Sequence, residues 1–351
     1  MTDSRDCNSG NERREGLMAH RKPVTIYDLA KDVGVAASTV SRALSRPDRV
    51  SADTAARIFA AAERLGYSRV GATYSEETHL SNTLVFAVAD LANPMYADVA
   101  AGFQQAAQAA GYTTLIINTE ESGSLEQRTI QQVVSRVDGV ALAASRLDAA
   151  SINKLEKQRP LVLLNRYMKG HTCVIPETER GIAQVFRYLR DLGHRGVMYI
   201  SGPEMSWANA IRWRVASEYA PKFGLNLWRT DYATPDYSAG VSAFRTWKDT
   251  GKTTAVLAFN DLIAAGFLGE ARAHQVRIPE DVSVVGIDNS TLTTLISPEL
   301  SSMTSASTEI GRRGAESLIW QVTHRSIRER KLMRVPIEFI PRASTGPSPQ
   351  S

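Results

Sequence analysis

From Thr83 onward the chain alternates unbroken apolar runs with amphipathic helical stretches, and this pattern constrains the fold most. The runs include TLVFAVAD, TTLIINT, GVALAAS and PLVLLN, then GVMYISG, AVLAFN and DVSVVGID. Between them lie stretches such as MYADVAAGFQQAAQAAG and DLIAAGFLGEARAHQ, whose apolar residues recur at helical spacing. A half-exposed strand alternates apolar with polar residues. An unbroken run means burial on both faces, and helices between such runs mean βαβ units in parallel sheets. The runs are too many for one comfortable sheet, so two α/β subdomains are expected. A chain of 351 residues has room for two or three units of ordinary size.

No run approaches the ~18 apolar residues of a membrane span, so no membrane partner is expected. The N-terminus carries charges but no apolar h-region, which argues against a secretory signal. Cys7 and Cys173 are the only cysteines and lack metal-ligand spacing; no metal or cofactor is expected, and a cytoplasmic location is. Residues 1–22 are polar and read as a disordered tail. Met18 opens MAHRKPVTIYDLA just ahead of ordered sequence and is expected to be an alternative or true start.

The net charge of +4 is concentrated. From His20 to Arg69 there are nine Lys or Arg against five Asp or Glu, a local excess of +4. A basic N-terminal module on a near-neutral body fits a nucleic-acid partner, although a solvated charged face has the same composition.

Within that module, YDLAKDVGVAASTVSRAL carries an apolar pattern that stops at Gly34 and restarts two residues later. A helix, a tight turn at a glycine and a second helix opening on small side chains is the layout of a helix-turn-helix. Ala37 and Ser38 are short enough for close approach to base edges, and Arg42, one turn on, reaches guanine or phosphate. Thr39, Ser41, Ser45 and Ser51 supply phosphate hydrogen bonds. A third helix is expected around Asp53–Leu65, and residues 68–82 lose periodicity.

The segment from Val24 to Tyr67 closely resembles the DNA-binding domain of the lactose-repressor/galactose-repressor (LacI/GalR) family of bacterial regulators. Its pattern V-x-x-x-A-G-V-S-x-x-T-V-S-R-x-L is matched almost throughout from Ile26 to Leu44. DLANPMYADVAAG, RVDGVALAAS, LRDLGHRGVMYISGP, AFNDLIAAG, RIPEDVSVVGIDN, EIGRRGAESL and PRAST resemble further landmarks of that family, in order. The resemblance implies an all-α helix-turn-helix domain followed by an α/β core, like a periplasmic sugar-binding protein, of two parallel-sheet subdomains with a ligand cleft. It divides the chain into a helix-turn-helix domain at 23–69, a hinge at 70–82, a core at 83–345 and a tail at 346–351. Subdomain one would be about 83–176 plus 290–323, and subdomain two about 177–289 plus 324–345, joined by three crossings. It also implies DNA contacts from Thr25, Ile26, Arg49, Thr54 and Tyr67.

Ligands of α/β folds bind beyond the carboxyl ends of the strands. On that ground Asp90, Asn93, Ser145, Asn165, Asn260 and Asp261 are cleft candidates, and the resemblance adds Tyr96, Ser206, Arg212, Tyr237 and Ser305. Asp261 with Arg212 is the pair best suited to hold hydroxyls, and Tyr96 and Tyr237 suit an aromatic wall. A helix cap is the plainer role for Asn260 and Asp261, a surface ion pair for Arg212, and Trp207 either lines the cleft mouth or packs.

Three departures from the family pattern matter. Ala36 stands where a helix-start serine is usual, a loss of roughly 1 kcal/mol of capping. In the linker, Arg69 and Val70 replace a Pro-Asn pair, and Thr73, Tyr74, Ser75 and Glu76 stand where Ala, Arg, a variable residue and a wedging Leu are usual. Gly71 weakens a helix there, and a glutamate cannot unstack bases. The hinge is therefore expected to stay irregular and not to kink its operator in the usual way. DNxxG, which opens the second subdomain in many members, reads Glu177-Thr178-Glu179-Arg180-Gly181 here.

No catalytic signature is present: TGKTT at 250–254 has the tail of a P-loop, but Thr246 replaces its first glycine, and His194 reads as structural. A free-standing sugar-binding protein would suit the body but not the basic module. The sequence therefore points to a non-enzymatic regulator, most often a repressor in this family. It would bind a palindromic double-stranded operator as a homodimer, under control of a small polar effector such as a sugar or sugar acid. No leucine heptad follows Arg342, so a lactose-repressor-type tetramer is not expected.

Overall fold

The computed structural model describes residues 24–45, 49–65, 80–251, 253–324 and 330–349. They belong to two compact units that meet in sequence between His79 and Leu80. The expected tail at 1–22, the alternative start at Met18 and the hinge at 70–79 lie outside the described residues.

The first unit holds three helices, α1 (Ile26–Val33), α2 (Ala37–Ser45) and α3 (Ala52–Leu65). A capping box starts α1: the Asp28 N–H donates to Thr25 Oγ1, and the Thr25 N–H donates to Asp28 Oδ2 at 2.8 Å. Gly34 ends it at φ 75°, its N–H donating to the Ala30 carbonyl, and this left-handed turn lets α2 fold back. The Ala36 carbonyl accepts from Thr39 and Val40, so Ala36 occupies the cap position of α2 without a side-chain oxygen to fill it. Leu29, Val33, Val40, Ala43, Ile58 and Ala61 form one buried cluster. Arg57 Nη2 donates to the Val33 carbonyl at 2.9 Å and ties α3 to the end of α1.

The second unit begins β1 (Thr83–Val88), α4 (Pro94–Ala109), β2 (Thr113–Asn118), α5 (Gly123–Val133), β3 (Gly139–Ala143), α6 (Ala149–Gln158), β4 (Leu161–Leu164) and β5 (Thr172–Pro176). It continues α7 (Thr178–Asp191), β6 (Gly196–Ile200), α8 (Trp207–Tyr219), β7 (Asn226–Arg229), α9 (Tyr237–Thr250), β8 (Ala255–Ala258) and α10 (Asp261–Ala273). It ends β9 (Ser283–Asp288), α11 (Leu292–Leu295), β10 (Ser301–Thr304), α12 (Ser307–Thr323), β11 (Leu332–Val335) and β12 (Phe339–Ile340).

These strands make two six-stranded sheets in the orders β11-β5-β4-β3-β1-β2 and β12-β10-β9-β8-β6-β7. Every pairing is parallel except β10 with β12. The two sheets follow the same doubly wound order, each reversing beside its first strand, at β1/β3 and at β6/β8.

The chain passes three times between the sheets, after β5, between β10 and α12, and between β11 and β12. The last two lie elsewhere than expected. β10 hydrogen-bonds β9 in the second sheet, so residues 290–304 do not join the first subdomain. β11 extends β5 in the first sheet, so residues 332–335 do not join the second. β2, read as a run covered on both faces, is an edge strand whose Leu115 and Ile116 remain over a third exposed. The expected tail at 346–351 starts as packed chain: the Gly346 carbonyl accepts from Ser283 Oγ, and the Ser348 N–H donates to Leu192.

In each subdomain one helix pair crosses closely through glycines. A Cβ on Gly311 of α12 would collide with the Val99 carbonyl of α4, and one on Gly266 of α10 with the Tyr237 carbonyl that opens α9.

Candidate functional site

In the first unit, Ser38, Ser41 and Arg42 form the exposed side of α2, opposite buried Val40 and Ala43. Thr39 is half-buried. Ala37 and Ile26, expected at the DNA surface, instead pack partly against the unit's core. The Thr25 side chain is engaged in its capping box. Ser51 Oγ accepts from the Thr54 N–H and donates to Thr54 Oγ1, a helix-start motif for α3. Arg49 is exposed, while Tyr67 and the side chain of Ser45 lie outside the described residues. Tyr27 was not anticipated: its ring is 73% exposed at the start of α1.

In the second unit the carboxyl ends of strands from both sheets meet at a small enclosed pocket. Asp90, Asn93, Met95, Tyr96, Glu121 and Asn165 line it from the first subdomain, and Ala208, Arg212, Pro235, Phe259 and Asp288 from the second. It encloses about 20 Å³, room for about one water molecule, so the cleft is closed.

Arg212 organises the far wall. Its Nη1 donates to the Phe259 carbonyl, its guanidinium lies 4.7 Å from the Phe259 ring centroid, and its Nη2 stands 3.5 Å from Asp288 Oδ1. Burial pushes the Asp288 carboxyl up to about 8; Arg212 opposes the rise, the Asp261 charge adds to it, and Asn93 across the cleft opposes it. Burial likewise lifts the Tyr96 hydroxyl above the usual phenol range. On the near wall Arg146 pairs with Glu121, whose own carboxyl burial holds above its ordinary value.

The backbone is bent where these side chains enter. Ala144, Asn165, Asp288 and Ala306 have φ of 53°, 52°, 121° and 51°, conformations that non-glycine residues rarely adopt. All four lie just beyond a strand or at its last residue. Such clustering is characteristic of binding sites, where the surrounding fold holds the strain.

Five sequence candidates, Asp90, Asn93, Tyr96, Asn165 and Arg212, therefore meet at one pocket. Asp261, expected to hold ligand hydroxyls together with Arg212, does not line the pocket. Asp261 is buried beneath β9, accepting from the Ser290 N–H, Ser290 Oγ and Ser302 Oγ, and Asp288 takes the arginine instead. Asn260 caps α10, accepting from the Ile263 N–H and donating to the Pro235 carbonyl. Ser206 caps α8 and Ser145 Oγ accepts from the Leu147 N–H. Ser305 Oγ donates to the Asp288 carbonyl, supporting the pocket from behind. Tyr237 is half-exposed with its hydroxyl over Gly269, so it forms no wall.

Glu121 and Asp288 were missed, although they obey the rule that found Asp90. Asp288 is the last residue of β9, and Glu121 follows the end of β2 by three positions.

Trp207 lies outside this pocket. With Tyr167, Ile175, Ile211, Arg214 and Leu332 it lines an outer groove of about 470 Å³, which Thr178 and Glu179 of the divergent 177–181 segment also border. His194 is buried between Thr254 and the Gly346 carbonyl, and burial lowers its pKa. In TGKTT, Gly251 ends α9 and Lys252 lies outside the described residues. Among the described residues no cluster of His, Cys, Asp and Glu has the makings of a metal site, and no helix is long and apolar enough to cross a membrane.

Comparison with known proteins bears on both units. Residues 25–69 match the model of bacterial regulatory proteins of the lacI family, and residues 186–345 match the periplasmic binding protein-like domain. The HTH-type transcriptional repressor CytR of Escherichia coli (strain K12) is 29% identical over 313 residues, covering 85% of this chain and 89% of its own. The lac repressor dimer bound to operator and the anti-inducer ONPF superposes with a TM-score of 0.72 at 22% identity, covering 93% of this chain and all of that one. The transcriptional regulator CelR in complex with cellobiose superposes with a TM-score of 0.69 at 25% identity, covering 92% of this chain and all of that one. Residues 25–69 thus form a DNA-binding unit of the lacI family of bacterial regulatory proteins, joined to a two-sheet core of the periplasmic binding protein-like type, and the chain is a DNA-binding transcriptional regulator.

Proposed function

We propose that this chain represses transcription in the cytoplasm. As a homodimer it inserts α2 into the major groove at each half of a palindromic operator, and a small polar effector in the Arg212–Asp288 cleft alters that binding. It performs no catalysis. The observation that carries the DNA half is the Gly34 turn, which leaves Ser38, Ser41 and Arg42 on one exposed helix face above a buried core. In that role Arg42 reads a base edge, while Thr39, Ser41, Ser45, Arg49, Ser51, Thr54 and Tyr67 contact phosphates. Two copies related by two-fold symmetry read a two-fold symmetric site. The hinge at 70–82, with Glu76 at the position of the wedge, leaves the operator centre unkinked.

Selection of bound duplexes from a random pool, at physiological salt, tests this reading. Enrichment of a palindrome is expected, with half-sites widely spaced around an uninformative centre. An invariant central CG step would refute the unkinked operator, and the absence of any enriched sequence would refute specific recognition.

A further inference from the structure

The outer groove has a chemistry of its own. Trp207, Ala210, Ile211 and Arg214 line it from α8, and their spacing puts them on one face of that helix. Ala208 and Arg212, which line the closed cleft, fall on another face, so the two cavities are distinct sites. The first subdomain contributes Tyr167, just beyond β4, with Leu332 and Arg334 of β11. Pro176 and Thr178, on either side of the first crossing, border the groove as well. Its volume of about 470 Å³ is that of a small-ligand pocket.

Two features define what fits it. Trp207 is half-buried and Tyr167 is 41% exposed, and among the described residues neither side chain has a hydrogen-bond, ring or cation partner. An indole and a phenol ring, one from each subdomain, are surfaces on which a flat unsaturated ring stacks. The second feature is charge. Arg334 Nη1 lies 3.4 Å from Glu179 Oε2, in the segment that departs from DNxxG, so these two charges compensate each other. Arg214 has no such partner among the described residues, because Glu218, one turn further along α8, pairs with Lys222. Two guanidiniums against one carboxylate leave the groove with one positive charge beside apolar Ile175, Ile211 and Leu332. An aliphatic anion would forgo the rings, and a neutral ring would forgo the charge.

The geometry points to a second ligand site in this groove, for a planar aromatic anion whose ring carries a carboxylate, sulfonate or phosphate. Pro176 and Thr178 flank the first crossing and β11 leads into the third, so such a ligand touches both lobes at their joint. The site stands apart from the effector reading of the closed cleft.

The test titrates the full chain with 8-anilinonaphthalene-1-sulfonate, followed by its fluorescence, and with N-phenyl-1-naphthylamine, the same rings without the sulfonate. The sulfonate is expected to saturate one site per chain, and the neutral compound to bind about 5-fold or more weakly. Ala210→Trp, at an exposed position of α8, fills the groove and should abolish the site. Arg214→Gln should weaken the sulfonate by about 5-fold or more and leave the neutral compound unchanged. Asp90→Asn, in the closed cleft, should leave both titrations as they were. No saturable binding, binding that Ala210→Trp leaves intact, or binding lost in Asp90→Asn would overturn the site. Equal affinity for the two compounds, or a sulfonate affinity indifferent to Arg214→Gln, would overturn its preference for an anion.

Discussion

At the scale of single residues, two positions show how local chemistry sets stability. Ala36 holds the cap position of α2 with no side-chain acceptor. Ala36→Ser is expected to stabilise the first unit by about 1 kcal/mol, read as a rise in the melting temperature of the full chain's helix-turn-helix transition. Asp288 works through its proton. Burial raises its carboxyl to about 8, so the folded state holds a proton that the unfolded chain releases near pH 4. Folding then takes up a proton across that interval, and the stability it brings is complete below about pH 4 and lost as pH rises through about 8. Melting temperature should fall between pH 6 and pH 9, and Asp288→Asn should flatten part of the fall. Arg42→Ala should weaken binding to the selected operator by roughly 5- to 150-fold, the weight of a good base contact, with less effect on random DNA. Site residues were legible where one rule sufficed: polar residues beyond strands gave Asp90, Asn93 and Asn165. Asp261 obeyed the same rule but spends its carboxylate on Ser290 and Ser302, partners some 30 and 40 positions away that no local pattern reveals.

At the scale of elements, legibility followed burial. Runs such as VFAV, VALA and VLL announce themselves because both faces of those strands are covered. β10 reads SSMT, β11 LMRV and β12 only Phe339–Ile340, and none carries an unbroken apolar run, so none was identified. These same strands fix where the chain changes sheet, which is why two of the three crossings were misplaced. Helices fared better, since α1 and the start of α2 were set by a glycine turn and 3.6-residue periodicity. Between helices, close packing makes a sharp prediction. Gly311→Ala and Gly266→Ala each drive a methyl into a facing backbone carbonyl and should cost about 1–3 kcal/mol. Their effect is readable as a lower denaturation midpoint with an unchanged denaturant slope.

At the scale of the whole molecule, the basic module and the near-neutral core divide the labour. Affinity for DNA should fall steeply with salt, linear in log–log form. A chain lacking residues 1–69 should lose that affinity while keeping its ligand-induced rise in melting temperature. The closed cleft places Asn93 and Tyr96 of one subdomain against Arg212 and Asp288 of the other, so a ligand must part these groups to enter.

The three crossings bear on what that parting allows. A lobe hung from one tether swivels about any axis, and most of a ligand's free energy would be dissipated among those freedoms. Three separate lengths of chain, at residues after β5, after β10 and after β11, behave as parallel leaves of a flexure. They suppress twist and slide, leaving the lobes essentially one way to move, so a few ångströms of ligand in the jaw become a repeatable displacement of the lobe.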